Sequence, residues 1–183
     1  MSIDENVLQF FVSQRLGWLS FLVLTITYSG GYLVVSGVTF LSALSFYIHR
    51  QTDKILPLFI SVFGSAATVF IIKHIFYRAR PLSAAIYLET SSSFPSGHAT
   101  IAMALYGFLV YTIWKHEKHH LQNPAIWGLV ILILLIGISR LYLGVHYLSD
   151  VLVGYMIGFI WILVSLAISK SKTWPLLDNK HLL

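Results

Sequence analysis

Long apolar runs separated by short polar clusters dominate this chain and leave it few ways to fold. Crossing the hydrocarbon of a bilayer takes about 20 consecutive apolar residues in a helix. Inside lipid, only a helix or a closed barrel satisfies every backbone N–H and C=O. Runs of this kind extend from Gly31 to about His49, Leu56 to Tyr77, Ser96 to Trp114, Pro124 to Ser139 and Ser149 to Ser169. The chain has 183 residues, of which 57% are hydrophobic and 10% charged, against about 25% charged in a soluble domain. Mean hydropathy is +0.78. The expected fold is an all-α, polytopic transmembrane helical bundle with five clear spans.

This class changes the meaning of other features. The formal charge of +5 is read through membrane topology, and not as a nucleic-acid footprint. The absence of cysteine excludes disulfides, thiolate metal sites and a cysteine nucleophile. The start, MSIDENV, lacks the basic region of a cleavable signal peptide. Three parts are expected: an N-terminal segment 1–30, a transmembrane core 31–170 and a cytoplasmic tail 171–183. Within the first, DENVLQFFVSQRL reads as an amphipathic helix with Arg15 and the acidic start on its wet side. Gly17 to Tyr28 is apolar but too short to cross alone. Helices lying at the interface are expected here, and a tilted span continuing through Ser29-Gly30-Gly31, a sixth, is the alternative.

The basic residues sort by side. Arg50, Lys54, Lys115, Lys118, Lys170, Lys172 and Lys180 fall in plain loops and the tail, which the positive-inside rule assigns to the cytoplasm. Arg15, Lys73, Arg78, Arg80 and Arg140 fall on the other side. Trp18, Tyr28, Trp114, Trp127 and Trp174 read as interface anchors. His116-Glu117-Lys118-His119-His120 resembles a metal cluster by composition alone, and a solvated basic loop accounts for it.

Three stretches at the outer span ends carry reactive side chains. In Ser139–Asp150, SRLYLGVHYLSD, an arginine, a histidine and an aspartate border membrane-grade apolar sequence, where charges are costly unless paired or used. His146 and Asp150 are four apart, so on a helix the carboxylate reaches the imidazole. A capped turn would explain Gly144 but not Arg140, His146 and Asp150 together. Their combination suggests phosphoryl transfer to a histidine nucleophile. Lys73 and Arg80 are seven apart, two helical turns, and so stack on one face. Snorkelling at a helix end is the simpler account of such cations, and it suits His74 and Arg78 well. In Pro95-Ser96-Gly97-His98, Ser96 makes a good N-cap. The same geometry points free helix N–H groups at an anion, with His98 in the first turn.

Together these stretches resemble the type 2 phosphatidic acid phosphatase family, membrane lipid phosphate phosphatases related to vanadium haloperoxidases. The family pattern K-x6-R-P, P-S-G-H, S-R-x5-H-x3-D is met by Lys73…Arg80-Pro81, Pro95-Ser96-Gly97-His98 and Ser139-Arg140…His146…Asp150. The resemblance covers about residues 31–170. It implies that Lys73, Arg80, Ser96, Gly97 and Arg140 bind phosphate, and that His146 attacks phosphorus to form phosphohistidine. It further implies that Asp150 orients His146 and that His98 protonates the leaving oxygen and then activates water. Neither cofactor nor metal is implied. The expected substrate is a lipid phosphomonoester or pyrophosphate such as phosphatidylglycerophosphate, phosphatidic acid, undecaprenyl pyrophosphate or a lipid A phosphate, cut on the extracytoplasmic face. Leu82–Phe94 and the N-terminal segment are the regions expected to set the choice. A lipid phosphotransferase using the same site and a non-enzymatic lipid-binding protein are the alternatives. Vanadate-dependent oxidation is less favoured, because those relatives are soluble.

Overall fold

A computed structural model describes residues 2–81, 84–87, 89–116 and 120–173. Lys118, Lys180 and Trp174 lie outside the described residues, as do most of the histidine cluster at 116–120 and nearly all of the tail. The described chain forms helices α1 (Ile3–Ser13), α2 (Gly17–Tyr28), α3 (Tyr32–Ile48), α4 (Ile55–Ile75), α5 (Gly97–His116), α6 (Pro124–Tyr142) and α7 (Leu148–Thr173). Single 3-10 turns at Thr52–Lys54 and His120–Gln122 fill two of the connections.

Helix starts follow local chemistry. Ser2 and Glu5 form a reciprocal capping box on α1. Asn123 caps α6, with Pro124 in its first turn as expected. Four helical stretches are long and apolar enough to cross a membrane: Thr52–Ile75, Gly97–Lys115, Pro124–Tyr142 and Leu148–Ser169. The fifth expected span, Gly31 to about His49, is helix α3, whose 17 residues fall short of a crossing by themselves. Helices α2 and α3 qualify only as a pair, bent by 46° at Ser29-Gly30-Gly31, where two glycines weaken the helix. Large side chains such as Phe21, Phe40, Phe63, Phe70 and Met156 point outward from the bundle, as lipid-facing surfaces require.

Helix α5 runs through the middle. Its Ala102, Leu105 and Phe108 pack with Leu58 and Val62 of α4, Ile133 and Ile136 of α6 and Ile162 of α7. Without a hydrophobic drive between helices in lipid, close backbone approach and interhelical hydrogen bonds hold such bundles together. Both are present. Ser61 Oγ donates to Ala104 O at 3.0 Å, Tyr155 Oη to Ile133 O at 2.7 Å and Trp161 Nε1 to Thr68 Oγ1 at 2.9 Å. Gly158 of α7 lies so near α5 that a Cβ there would meet Thr100 O at 2.4 Å, and one at Gly154 would meet Ser96 O at 2.9 Å. This contact sets the start of α5 directly against the start of α7.

Because α3 to α7 alternate in direction, the C-terminal ends of α4 and α6 meet the N-terminal ends of α5 and α7. Helix α1 packs on α6 and α7, pinned where Asp4 accepts from Ser149 N at 2.9 Å and Ser149 Oγ at 2.6 Å. Glu5 is exposed as expected, but Asp4 and Arg15 turn from the wet side into partly buried contacts. Arg15 follows the end of α1 and donates to Tyr142 O (2.9 Å) and Ala84 O (2.6 Å), satisfying a carbonyl at the end of α6 that the helix leaves open. Gly144 turns the chain at φ 69°, and a Cβ there would sit 2.1 Å from Ala84 O.

Replacing Gly158 with leucine is expected to lower stability by at least about 1–3 kcal/mol, because backbone blocks the added atoms. The same change at Gly128, where a Cβ would meet nothing within 4 Å, is expected to cost far less. Thermal unfolding of the two variants in one detergent compares them directly, and equal midpoints would contradict the packing described.

Candidate active site

The eight expected site residues come from four separate elements and converge at the end of the bundle where α1 lies. Lys73 is in the last turn of α4, Ser96 precedes α5, and Gly97 and His98 open it. Arg140 is in the last turn of α6, His146 lies in the turn after it, and Asp150 is in the first turn of α7. Arg80, Ser96, Arg140, His146 and Asp150 are all buried.

Two local expectations need correction. Lys73 and Arg80 do not stack on one helix: α4 ends at Ile75, and Pro81 disfavours helix at the residue before it. The chain from Phe76 to Arg80 runs free of helix instead, held by Ser92, whose Oγ donates to Phe76 O (2.9 Å) and accepts from Arg78 N (3.1 Å). This folds Arg80 back over the site. His146 likewise precedes α7, so its pairing with Asp150 is made by the turn and not by a helical face. The separation is still short, 3.5 Å from Nδ1 to Asp150 Oδ2.

The tautomer of His146 follows from its neighbours. Arg80 Nη1 lies 3.2 Å from His146 Nε2, and a guanidinium can only donate. Nε2 therefore carries the lone pair, and Nδ1 carries the proton facing Asp150. Asp150 Oδ2 also accepts from Tyr147 N at 2.9 Å and from Ser93 Oγ, while its Oδ1 accepts from Arg78. The main-chain oxygen of Asp150 accepts from Ser96 N at 3.0 Å, joining the second and third motifs. Burial lowers the His146 pKa to about 4; Arg140 and Arg80 push the same way, against the hydrogen bond to Asp150. The imidazole is thus neutral near pH 7.

The cations surround one seat. Arg80 donates to Ser91 O at 2.8 Å and Val145 O at 2.7 Å and pairs with Glu89 Oε2 at 2.7 Å. Arg140, fully buried, pairs with Glu89 Oε1 and donates to Tyr87 Oη at 2.6 Å and Thr27 Oγ1 at 3.0 Å. Lys73 Nζ donates to Ser92 O and lies within charge range of both arginines, Glu89 and Asp150. His98 makes no side-chain hydrogen bond with the described residues and feels the charges of Arg140, Glu89, His146 and Arg80. Among the described residues, two buried donors have no partner: Ser96 Oγ, which is not used as a cap, and Arg140 Nε. A Cβ at Gly97 would meet only Val69 at 3.6 Å, so protein does not fill the space beside it.

The seat is suited to an anion, and Glu89 is the one it pairs with here. Fixed donors and an imidazole lone pair converge on it, as phosphoryl transfer requires. Among the described residues, no three or more His, Cys, Asp or Glu side chains are grouped to hold a metal.

Several contributors were not singled out from the sequence. Arg78, expected to snorkel, instead bridges Asp150 and Asp4 (2.8 Å) and stacks on the Tyr147 ring at 4.3 Å. Burial opposes its charge, but Asp4 and Asp150 raise its pKa. Ser93, Tyr87, Glu89 and Thr27 carry no motif signal, and their partners are distant in sequence. The Ser29-Gly30-Gly31 break lies against His98: a Cβ at Gly30 would meet Ile136 Cγ2 at 2.7 Å and His98 Cβ and Cδ2 at 3.4 Å.

Gly30→Val is therefore expected to displace the His98 ring and reduce kcat by about 100-fold, since misplacement near 1 Å has effects of that size. KM is expected to change less. Steady-state kinetics on the folded variant measures both, and an unchanged kcat would contradict the contact.

Known proteins bear on the same site. The family model described as PAP2 superfamily matches residues 54–174. Phosphatidylglycerophosphatase B of Bacillus subtilis (strain 168) is 33% identical over 165 residues, covering 87% of this chain and 79% of the relative. Undecaprenyl-diphosphatase BcrC of the same organism is 30% identical over 141 residues, 71% of this chain and 68% of that one. The crystal structure of a transmembrane PAP2 type phosphatidylglycerolphosphate phosphatase from Bacillus subtilis superposes with a TM-score of 0.83 at 27% identity, covering 92% of this chain and 85% of the other. With this fold, these spans and these relatives, the chain belongs to the PAP2 superfamily and is an integral membrane phosphatase.

Proposed function

We propose that this chain cuts phosphate from a lipid phosphate or lipid pyrophosphate at the extracytoplasmic membrane face, through a phosphohistidine on His146. One observation carries the reading: the His146 Nε2 lone pair faces Arg80 in a seat where Ser96 Oγ and Arg140 Nε have no partner. Nε2 attacks phosphorus while the bond to the leaving oxygen breaks, and His98 protonates that oxygen. Asp150 stabilises the positive imidazole. His98 then takes a proton from water as its oxygen attacks phosphorus, which frees inorganic phosphate and restores His146. Lys73, Arg80 and Arg140 supply the charge that stabilises the transferring oxygens.

A monoester of phosphatidylglycerophosphate type is favoured over a pyrophosphate, because the relative named for it matches at higher identity and over more of this chain. The face is supported by charge. At the site end, Arg15, Lys73, Arg78, Arg80 and Arg140 all bond within the protein. Arg50, Lys54 and Lys115 stand at the opposite end, which the positive-inside rule assigns to the cytoplasm. The division into a segment 1–30, a core 31–170 and a tail belongs to this proposal with one change: Thr27 and Gly30 are part of the site wall.

His146→Ala is expected to lower phosphate release from phosphatidylglycerophosphate in detergent micelles by at least about 1,000-fold, with no phosphoenzyme trapped on acid quench. Full activity in this variant would sink the mechanism. The pH profile is a separate check. Attack needs neutral His146, whose pKa is lowered to about 4, so the acid limb of kcat/KM is expected near pH 4, while the need for a proton on His98 gives a separate alkaline limb. An acid limb at the ordinary histidine value of 6.5 would mean that His146 is not held neutral.

A further inference from the structure

Glu89 occupies the middle of the seat. Its two carboxylate oxygens are divided between the arginines, Oε2 to Arg80 at 2.7 Å and Oε1 to Arg140. Tyr87 Oη donates to Oε1 at 3.1 Å while itself accepting from Arg140. A carboxylate has two oxygens, whereas a phosphoryl group presents three that are non-bridging. Among the described residues, two buried donors keep no partner, Ser96 Oγ and Arg140 Nε. They are what a third oxygen would need.

Position and charge fit a group that comes and goes. The Glu89 side chain is 24% exposed while that of Arg140 is 0% exposed, so the carboxylate enters from the mouth and the guanidinium forms the floor. Glu89 belongs to no helix, so moving it breaks no helical backbone bonds. Burial alone would raise its pKa, but Arg140 and Arg80 hold it at about 2. It is therefore an anion throughout the working range, as phosphate is. Two guanidiniums out of water without a counter-charge would be strongly unfavourable, and Glu89 removes that penalty while the seat holds no substrate.

We propose that Glu89 is a built-in phosphate surrogate: it fills the seat between turnovers, withdraws toward the mouth when the substrate phosphoryl group enters, and returns to expel inorganic phosphate. This rests on the reading of Arg80 and Arg140 as the phosphate seat. Glu89 is a positioning residue here, since it acts through the two arginines and touches no reacting atom. It weakens ground-state binding of substrate and product alike, and so limits product inhibition.

The test uses the full chain in detergent with inorganic phosphate as the probe. Glu89→Gln keeps the shape and removes the competing charge. It is expected to lower the inhibition constant for phosphate about ten-fold or more, in line with loss of one charge-assisted pair. Its unfolding midpoint is expected to drop without phosphate and recover when phosphate is added. If Glu89→Gln does not fold, Glu89→Asp, too short to reach both arginines, is expected to shift inhibition in the same direction by less. Unchanged or weaker phosphate inhibition in the variant that folds overturns the proposal. Arg140→Gln separates the two ideas. If it abolishes phosphate inhibition while the Glu89 variant leaves it unchanged, the seat stands and the surrogate fails. If it leaves phosphate inhibition intact, the seat itself is wrong and the surrogate falls with it.

Discussion

Three buried or half-buried cations at one end of an apolar bundle are the constraint on which the rest of this structure depends. Lys73, Arg80 and Arg140 repel one another, and desolvation adds to that cost. Almost every irregular feature nearby can be understood as a partner for them. Ser91, Ser92 and Val145 present main-chain oxygens to Arg80 and Lys73. Tyr87, Glu89 and Thr27 surround Arg140. In the described parts of the connection between α4 and α5, Phe76–Arg80 and 89–95 are free of helix, and the Ser91 and Ser92 carbonyls turn inward. That concentration of fixed positive charge suits an enzyme whose task is to stabilise charge on phosphoryl oxygens, with donors already oriented before substrate arrives.

The second organising group is the Asp150 carboxylate. It receives His146 Nδ1, Ser93, Tyr147 N and Arg78 on two oxygens, which locks the imidazole tautomer. The main-chain carbonyl of the same residue holds Ser96 N. One residue at the start of α7 thereby sets the rotation of the candidate nucleophile and the position of the α5 N-terminus. The close approach at Gly154 and Gly158 allows this, since any side chain there would hold the two helix starts apart. Packing within the membrane and chemistry at its edge are therefore one problem in this fold.

The N-terminal helices complete the site although the family model begins only at residue 54. Helix α1 delivers Asp4 to Arg78 and Ser149. Helix α2 brings Thr27 to Arg140 and ends in the glycine break that lies on His98. Tyr106 Oη, donating to Ser29 O at 2.7 Å, ties that break to the central helix. A segment that looks like a peripheral anchor is thus part of the wall around the candidate site.

The sequence by itself determined the class of fold and named the candidate site residues. Runs of bilayer length compel helices, because backbone hydrogen bonds must close locally in lipid. The reactive side chains stood at span ends in fixed spacings, which is information local to the chain. What only the tertiary structure decided was how those residues meet. Lys73 and Arg80 looked like neighbours on one helix, and His146 and Asp150 like another such pair, yet both pairs form across a helix end. Arg78 looked like a cation seeking water and instead bridges two buried or partly buried carboxylates. Glu89, Ser93 and Thr27 were illegible because their partners lie 51, 57 and 113 positions away, and periodicity carries no trace of such contacts. Spacing along a helix reports which side chains share a face. Where the helix stops, the packing of other elements decides what each side chain touches.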